Sequence, residues 1–340
     1  MRRIALLCLL GCAAPLLPGA GPGSVLANDS SAELSLGGLT FTKNTDVSME
    51  SEELTITPDN VTVKYRFLNQ SPNPVTLTVA FPLPDIDLSE HDALPAIPAE
   101  DPVNFVAFQT KIDGKPVQFA IHQRAMLGDK DITAAVRAAG LTPLPIGPQQ
   151  NAIGAMSAEV RDKLIADGLI IPSGTDAAGQ PIYTGSWIVK TSVTRKQVFP
   201  PGKPVLVEHR YRTSLGMSFD TVLRKAVRQS KGMEQEFARY RTEYCVPEDL
   251  LRAIDKIAGT TEANTAKLQE RRISYVLKTG ANWSGPIKDF RLVVDKGRTD
   301  RLVSFCGENL KKLTPTAFEF RAKDFTPDRD LKILLINRAN

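Results

Sequence analysis

The chain has little of what usually announces an enzyme. Its 340 residues hold three histidines, two tryptophans and four cysteines, and aromatic residues make up 6% of it. It contains no Gly-rich loop ending in Lys-Ser or Lys-Thr, no Gly-x-Ser-x-Gly elbow and no His-Glu-x-x-His pair. Phosphate cradling, elbow-type acyl transfer and the zincin site are therefore absent as motifs. Catalysis by groups that converge only in space stays open. An excess of one charge is also missing: 42 Lys and Arg face 38 Asp and Glu. That balance gives no argument for nucleic acid or for an anionic membrane surface as a partner. No apolar run approaches the length of a membrane span, and no internal repeat or coiled coil is visible.

What is present begins with an export-type leader. Arg2 and Arg3 form a positive start, and Ile4 to Leu10 form an apolar run too short to span a bilayer. Pro22, Gly23 and Ser24 break it, and Val25-Leu26-Ala27 offers the aliphatic and small side chains that a signal peptidase reads. Cleavage is expected after Ala27, giving a mature start at Asn28 and a periplasmic or secreted protein. A second reading stays open at Leu9-Leu10-Gly11-Cys12, which resembles a lipoprotein acylation site. Loss of the leader removes Cys8 and Cys12 and leaves Cys245 and Cys306. An even pair in an oxidising compartment predicts one disulfide, with two separate buried thiols as the alternative.

The mature chain reads as mainly β with helical insertions, an α+β protein. Residues 28–215 are expected to form an antiparallel β-sandwich-like region. Val61, Val63, Tyr65 and Phe67 alternate with polar residues, as do Val75, Leu77, Val79 and Phe81. Asp113-Gly114 predicts a hairpin turn. Strands return at Trp187–Phe199 and Val205–Thr213, joined by Pro200-Pro201-Gly202-Lys203. Residues 126–185 interrupt this pattern as a helical insertion. Ile132, Ala135, Val136 and Ala139 mark one helix, and Ser157 caps a second carrying Val160 and Leu164. The remainder of the insertion, rich in Pro and Gly, reads as loop.

Residues 216–340 are expected to form a mixed α+β region. Met233, Phe237, Tyr240 and Tyr244 recur at helical spacing, and Pro247 opens a helix with Leu250, Leu251, Ile254 and Ile257 on one face, ended by Gly259. Strands follow Arg272. The basic run Arg224 to Arg241 reads as a solvated helix face.

Candidate site residues are few. His209 shares strand parity with Val205, Val207 and Tyr211 and should point inward, as a ligand or base or as a bonded core residue. His122 falls on the outer parity, and His91 lies in an acidic loop. Asp85, Asp87, Glu90 and Asp92 in that loop supply oxygens of the kind calcium takes, or form a solvated surface. Trp283, in a turn between strands, either anchors a partner or folds over the core.

Asn28-Asp29-Ser30-Ser31-Ala32-Glu33, Phe41-Thr42-Lys43-Asn44, Met49-Glu50-Ser51-Glu52, Tyr65-Arg66-Phe67-Leu68-Asn69, Phe81-Pro82-Leu83-Pro84-Asp85-Ile86, Tyr244-Cys245, Ser274 to Trp283 and Phe305-Cys306 together resemble a bacterial exported family, domain of unknown function 4424. The resemblance covers nearly the whole mature chain. It implies an exported, β-rich protein and supplies no reaction, cofactor or catalytic residue. The functional expectation is a non-catalytic envelope module, binding or structural, whose partner is a protein or glycan. The alternative is an extracytoplasmic hydrolase acting on cell-wall or host material.

Overall fold

The computed structural model describes residues 28–35, 38–89, 94–149, 151–258 and 268–338. Residues 1–27, expected to form the leader, and His91 and Gly259 lie outside the described residues.

Three main sheets share one core. The first runs in the order Lys130–Asp131, Ala120–Leu127, Ile188–Phe199, Val75–Pro82, Ser30–Ser35, Gly38–Phe41, with Ile86–Asp87 on the far end of Ile188–Phe199. The second contains Lys311–Lys312, Ala317–Phe325, Ile287–Asp295, Val47–Ile56, Asn60–Asn69, Pro204–Arg212, Gln109–Ile112 and Lys115–Pro116 in that order. The third contains Leu302–Phe305, Leu331–Arg338, Leu268–Tyr275, Leu215–Ser218 and Leu94–Ala96. Apolar side chains from all three meet, among them Phe81 and Val193, Leu54 and Phe67, and Tyr275 and Ile333.

Period-two patterning places the second sheet. Val61, Val63, Tyr65 and Phe67 are all buried, while Lys64 and Arg66 are exposed. Asp113 and Gly114 both take positive φ, at 48° and 79°, as the expected tight hairpin turn requires. The strands flanking Pro200–Lys203 do not pair with each other: one lies in the first sheet and the other in the second. That turn therefore carries the chain between layers.

The expected boundary at 215/216 does not separate the sheets. Ile287–Asp295 pairs in parallel with Val47–Ile56, with Phe290 opposite Glu52, and Leu215–Ser218 joins Leu94–Ala96 to Leu268–Tyr275. Segments from both expected regions thus build the second sheet together.

The insertion holds the helices Thr133–Ala138 and Ala158–Ala166, the latter capped by Ser157, which accepts from the Val160 amide. Leu164 is buried, but Val160 is 42% exposed, so it does not share the apolar face expected of it. Ile170–Thr175 and Pro181–Gly185 pair as a hairpin where loop was expected. Pro172 and Gly174, which obscured the strand pattern, flank a register shift. The Trp187 indole donates to the Pro143 carbonyl at 2.7 Å and ties the insertion to the first sheet.

A second, smaller core lies on the outer face of the third sheet. Tyr240 and Tyr244 at helix Glu234–Glu243, and Leu250, Leu251 and Ile254 of helix Glu248–Ala258, pack on Leu268, Leu334 and Ile336. Leu331–Arg338 is thus buried on both faces, Ile333 and Leu335 toward the main core and Leu334 and Ile336 toward the helices. Cys245 and Cys306 form the disulfide, linking the junction of these helices to the edge strand Leu302–Phe305 across 61 residues of chain. Closing a loop of that length contributes ~4 kcal/mol on the chain-entropy model. The basic run is a face of ion pairs: Arg228 with Asp255 at 2.6 Å, Arg239 with Glu236 and Glu243 at 2.5 and 2.8 Å, and Arg241 with Glu248.

Candidate functional site

Where helix Glu234–Glu243 faces the third sheet and the turn Pro84–Asp87, a cleft of about 650 Å³ opens. Its floor is the sheet, through Gly216, Ser218, Glu270, Arg272 and Ser274. The helix supplies Glu236, Arg239, Tyr240 and Glu243, and the turn after Val75–Pro82 supplies Asp85 and Asp87.

A hydrogen-bonded cluster organises the floor. Arg272 donates through one Nη1 to Glu270 Oε1 at 2.5 Å and to the Tyr240 hydroxyl and Ser218 Oγ at 3.0 Å each. Tyr240 in turn donates to Glu270 Oε1 at 2.6 Å. Gly216 leaves room for this guanidinium, since a Cβ there would come within 3.2 Å of Arg272 Nε. Burial, against the neighbouring Arg272, pushes the Tyr240 phenol well above its usual range, so it stays protonated and donating. The second oxygen of Glu270, Oε2, is buried without a hydrogen-bond partner.

Asp85 repeats that theme on the opposite wall. Burial raises its pKa to about 7, opposed by Lys190, whose Nζ lies 3.7 Å away. Its Oδ1 is also buried without a partner. Asp87 instead spends Oδ1 on Ser89, accepting from its amide at 2.8 Å and its hydroxyl at 2.6 Å. Glu90 and Asp92 lie outside the described residues. Among the described residues no group of three or more His, Cys, Asp or Glu is placed to hold a metal ion.

A second polar group is closed inside the sheets. The Asp29 carboxylate lies 2.7 Å from Arg195 Nη2 and 3.1 Å from His209 Nε2, with all three side chains at most 3% exposed. Burial alone would raise the Asp29 pKa, but Arg195 and then His209 hold it well below the usual carboxylate range. Burial lowers the pKa of His209, with Asp29 opposing. Beside them Glu52 is fully buried, and burial raises its pKa to about 8 against a hydrogen bond from Asn28. The register shift at Met49/Ser51 sets this side chain inward, in phase with Leu54 and Ile56. Tyr65 and Tyr275 meet at 3.1 Å, and Tyr275 reaches Glu52 Oε1 at 3.5 Å.

His209 points inward as strand parity indicates, surrounded by Tyr65, Phe81 and Phe108 with ring centroids at 5.7, 5.0 and 5.0 Å. It is not among the residues lining the cleft. Trp283 is completely enclosed, against Phe67 at 4.5 Å, and its indole donates to the Asp29 carbonyl at 2.6 Å. It presents no surface to a partner. His122 bonds Thr194 at 2.9 Å beside a shallow hollow of the first sheet.

A family model described as "Domain of unknown function (DUF4424)" matches residues 27–334. The chain belongs to that family. No curated protein sequence matches this DUF4424 chain. Among solved structures, a protein from Legionella pneumophila named "putative nutrient binding protein" aligns at 15% identity and TM-score 0.44, over 92% of this chain and 70% of that one. The M1 zinc metallopeptidase of Deinococcus radiodurans aligns at 9% identity and TM-score 0.26, over 86% of this chain and 43% of the peptidase. The DUF4424 chain thus spans less than half of that peptidase.

Parity reasoning on the sequence located His209 but missed the other polar side chains that the sheets enclose. Arg195 and Gln197 share parity with Val189, Val193 and Phe199, and all are buried. The same rule that turned His209 inward was available for them. The cleft was harder to see, because Asp85, Ser218, Tyr240 and Glu270 lie far apart in sequence and in different kinds of element.

Proposed function

We propose that this DUF4424 chain is an exported, non-catalytic binding module that loses Met1–Ala27 and takes a small, donor-rich ligand, a glycan fragment, into the cleft. The observation carrying this reading is the pair of buried carboxylate oxygens on the cleft walls, Asp85 Oδ1 and Glu270 Oε2, that lack a partner. A buried acceptor without a donor costs free energy, and a ligand hydroxyl or amine that reaches it recovers that cost. Arg272, Ser218 and Ser274 beside them offer the mixed donors and acceptors that vicinal hydroxyls match. Export is supported by the leader pattern and by a family match that starts at residue 27.

The test is calorimetric titration of the purified chain with glucose, glucosamine, N-acetylglucosamine and short oligosaccharides of each. Saturable binding that weakens in both Glu270→Gln and Asp85→Asn supports the reading. Absence of binding across the panel, or binding indifferent to both substitutions, overturns it. Turnover of a bound sugar would move the protein to the hydrolase class. Fractionation of the source cells checks export separately, with periplasmic or extracellular recovery as the expected outcome and cytoplasmic retention as the contrary one.

A further inference from the structure

The closed cluster has an ionisable group that its own side chains leave without a counter-ion. Asp29 is answered by Arg195, and burial disfavours a charge on His209. Glu52 faces Asn28, Tyr275, Tyr65 and the Asp29 carboxylate, and among the described residues no cationic side chain pairs with it. A buried carboxylate in that position either holds its proton or needs a cation.

The residue in contact with it is the first of the expected mature chain. Asn28 Nδ2 donates to Glu52 Oε2 at 2.9 Å. Covalent geometry keeps the main-chain nitrogen of Asn28 within about 5 Å of that amide nitrogen. The surroundings are built to receive this segment. Thr279 Oγ1 donates to the Asn28 carbonyl at 2.9 Å, Trp283 to the Asp29 carbonyl at 2.6 Å, and Asn282 Nδ2 to Ser30 Oγ at 2.9 Å. Gly280 is bare where Asn28 packs: a Cβ there would stand 2.7 Å from Asn28 Nδ2. Asn28, Asp29 and Ser30 are each 0% exposed.

We propose that removal of the leader creates an internal ligand: the new α-ammonium of Asn28 seats beside Glu52 and neutralises it, completing the core. This rests on the reading that Met1–Ala27 is a leader. Hydrolysis of the Ala27–Asn28 amide by a processing endopeptidase consumes one water. The water oxygen stays on the Ala27 carboxylate, and its two protons leave on the Asn28 ammonium. Before cleavage that nitrogen is a neutral amide, so Glu52 lacks its counter-ion. Folding to full stability therefore follows processing.

The pH dependence has a definite sign. In a chain that keeps Ala27, Glu52 holds its proton in the fold up to about 8, against 4.5 when unfolded. Its contribution is complete below the unfolded value and falls as pH rises through that window. In the processed chain the ammonium keeps Glu52 ionised, which flattens the window. That contribution is then lost as pH rises through the folded pKa of the α-amine, which lies above its ordinary ~8. Arg195, His209 and Asp29 are common to both chains, and so cancel in the comparison.

The experiment uses full chains released without scar residues from a fusion, one beginning at Asn28 and one at Ala27, each also as Glu52→Gln. The Ala27 chain is expected to melt several degrees below the Asn28 chain near neutral pH, and the gap to close in Glu52→Gln. Equal melting of the parent pair, or a gap unchanged by Glu52→Gln, overturns the proposal. Acetylation of the α-amine at neutral pH supplies a second readout, expected to be roughly tenfold or more slower in the native than in the unfolded Asn28 chain. Equal rates contradict seating. The terminal mass of the protein recovered from its own cells judges the leader reading alone. A start at Asn28 supports it and a start elsewhere overturns it, while the recombinant melts decide the site independently.

Discussion

Both polar regions of this molecule hold buried carboxylates, yet they are built to opposite ends. In the closed cluster each carboxylate meets groups from the chain itself: Arg195 and His209 at Asp29, and Asn28 and Tyr275 at Glu52. In the cleft one oxygen of each buried carboxylate is satisfied or paired, and the other is left without a partner. Burial and a displaced pKa occur in both regions and so cannot tell a structural site from a binding site. A place on the wall of an open cleft can: Asp85 and Glu270 have one, and Asp29, Glu52 and His209 do not.

The largest test of that contrast removes a cation from the closed side. Arg195→Met leaves Asp29 buried beside a neutral His209 and is expected to cost about 3–5 kcal/mol in denaturant unfolding, with glycan binding by the folded fraction unchanged. Adding Asp29→Asn should restore part of the loss, since both charges are then gone. A cost below that range would place water, rather than Arg195, as the partner of Asp29.

Removing the crosslink tests the other side. Cys245→Ala with Cys306→Ala is expected to cost about 2–4 kcal/mol. It should loosen helix Glu234–Glu243 and weaken ligand binding, while the α-amine stays protected from acetylation. Loss of that protection together with binding would show that the two regions are one cooperative unit.

Gly280→Ala is a finer probe of the N-terminal seat. The added methyl meets Asn28 at 2.7 Å and Ile287 Cδ1 at 3.1 Å, and overpacking of this kind costs roughly 1–3 kcal/mol. The chain beginning at Asn28 should lose more in thermal melts than the chain beginning at Ala27, because only the former has a fully seated terminus to displace. Equal losses would place the strain elsewhere.

The smallest effect belongs to Asp85. Its pKa of about 7 means that it ionises across the neutral range. Ligand affinity in titrations below and above that value should rise severalfold with pH, because the ionised carboxylate is the stronger acceptor. The sign for stability is opposite: the raised pKa favours the fold at low pH and is lost as pH rises from the ordinary carboxylate range through 7. Asp85→Asn should abolish both trends.

Much of the architecture was legible before the structure. Alternation at Val61 to Phe67 and helical spacing from Leu250 to Ile257 each reflect one buried face, and local geometry alone produces them. Where strands pair is not local. Nothing in residues 287–295 announces a parallel partner at 47–56, so the line drawn at 215 followed sequence order rather than the sheet. The hairpin at 170–185 was hidden by Pro172 and Gly174, which resemble loop punctuation. Trp283 shows why a turn residue is ambiguous: its ring is buried against the segment at Asp29, 254 positions away. Arg195 was readable in principle, since strand parity does not exempt a charged residue from facing inward.

The account turns on the claim that the closed cluster serves the fold while the open cleft serves a ligand. Amide correlation spectra of the chain beginning at Asn28, recorded with and without the tightest-binding sugar of the panel, test it most directly. Shift changes confined to residues 84–87, 214–218, 234–244 and 270–274 are the predicted result. Changes centred on Asp29, Glu52 and His209, or none at saturating sugar, would contradict it.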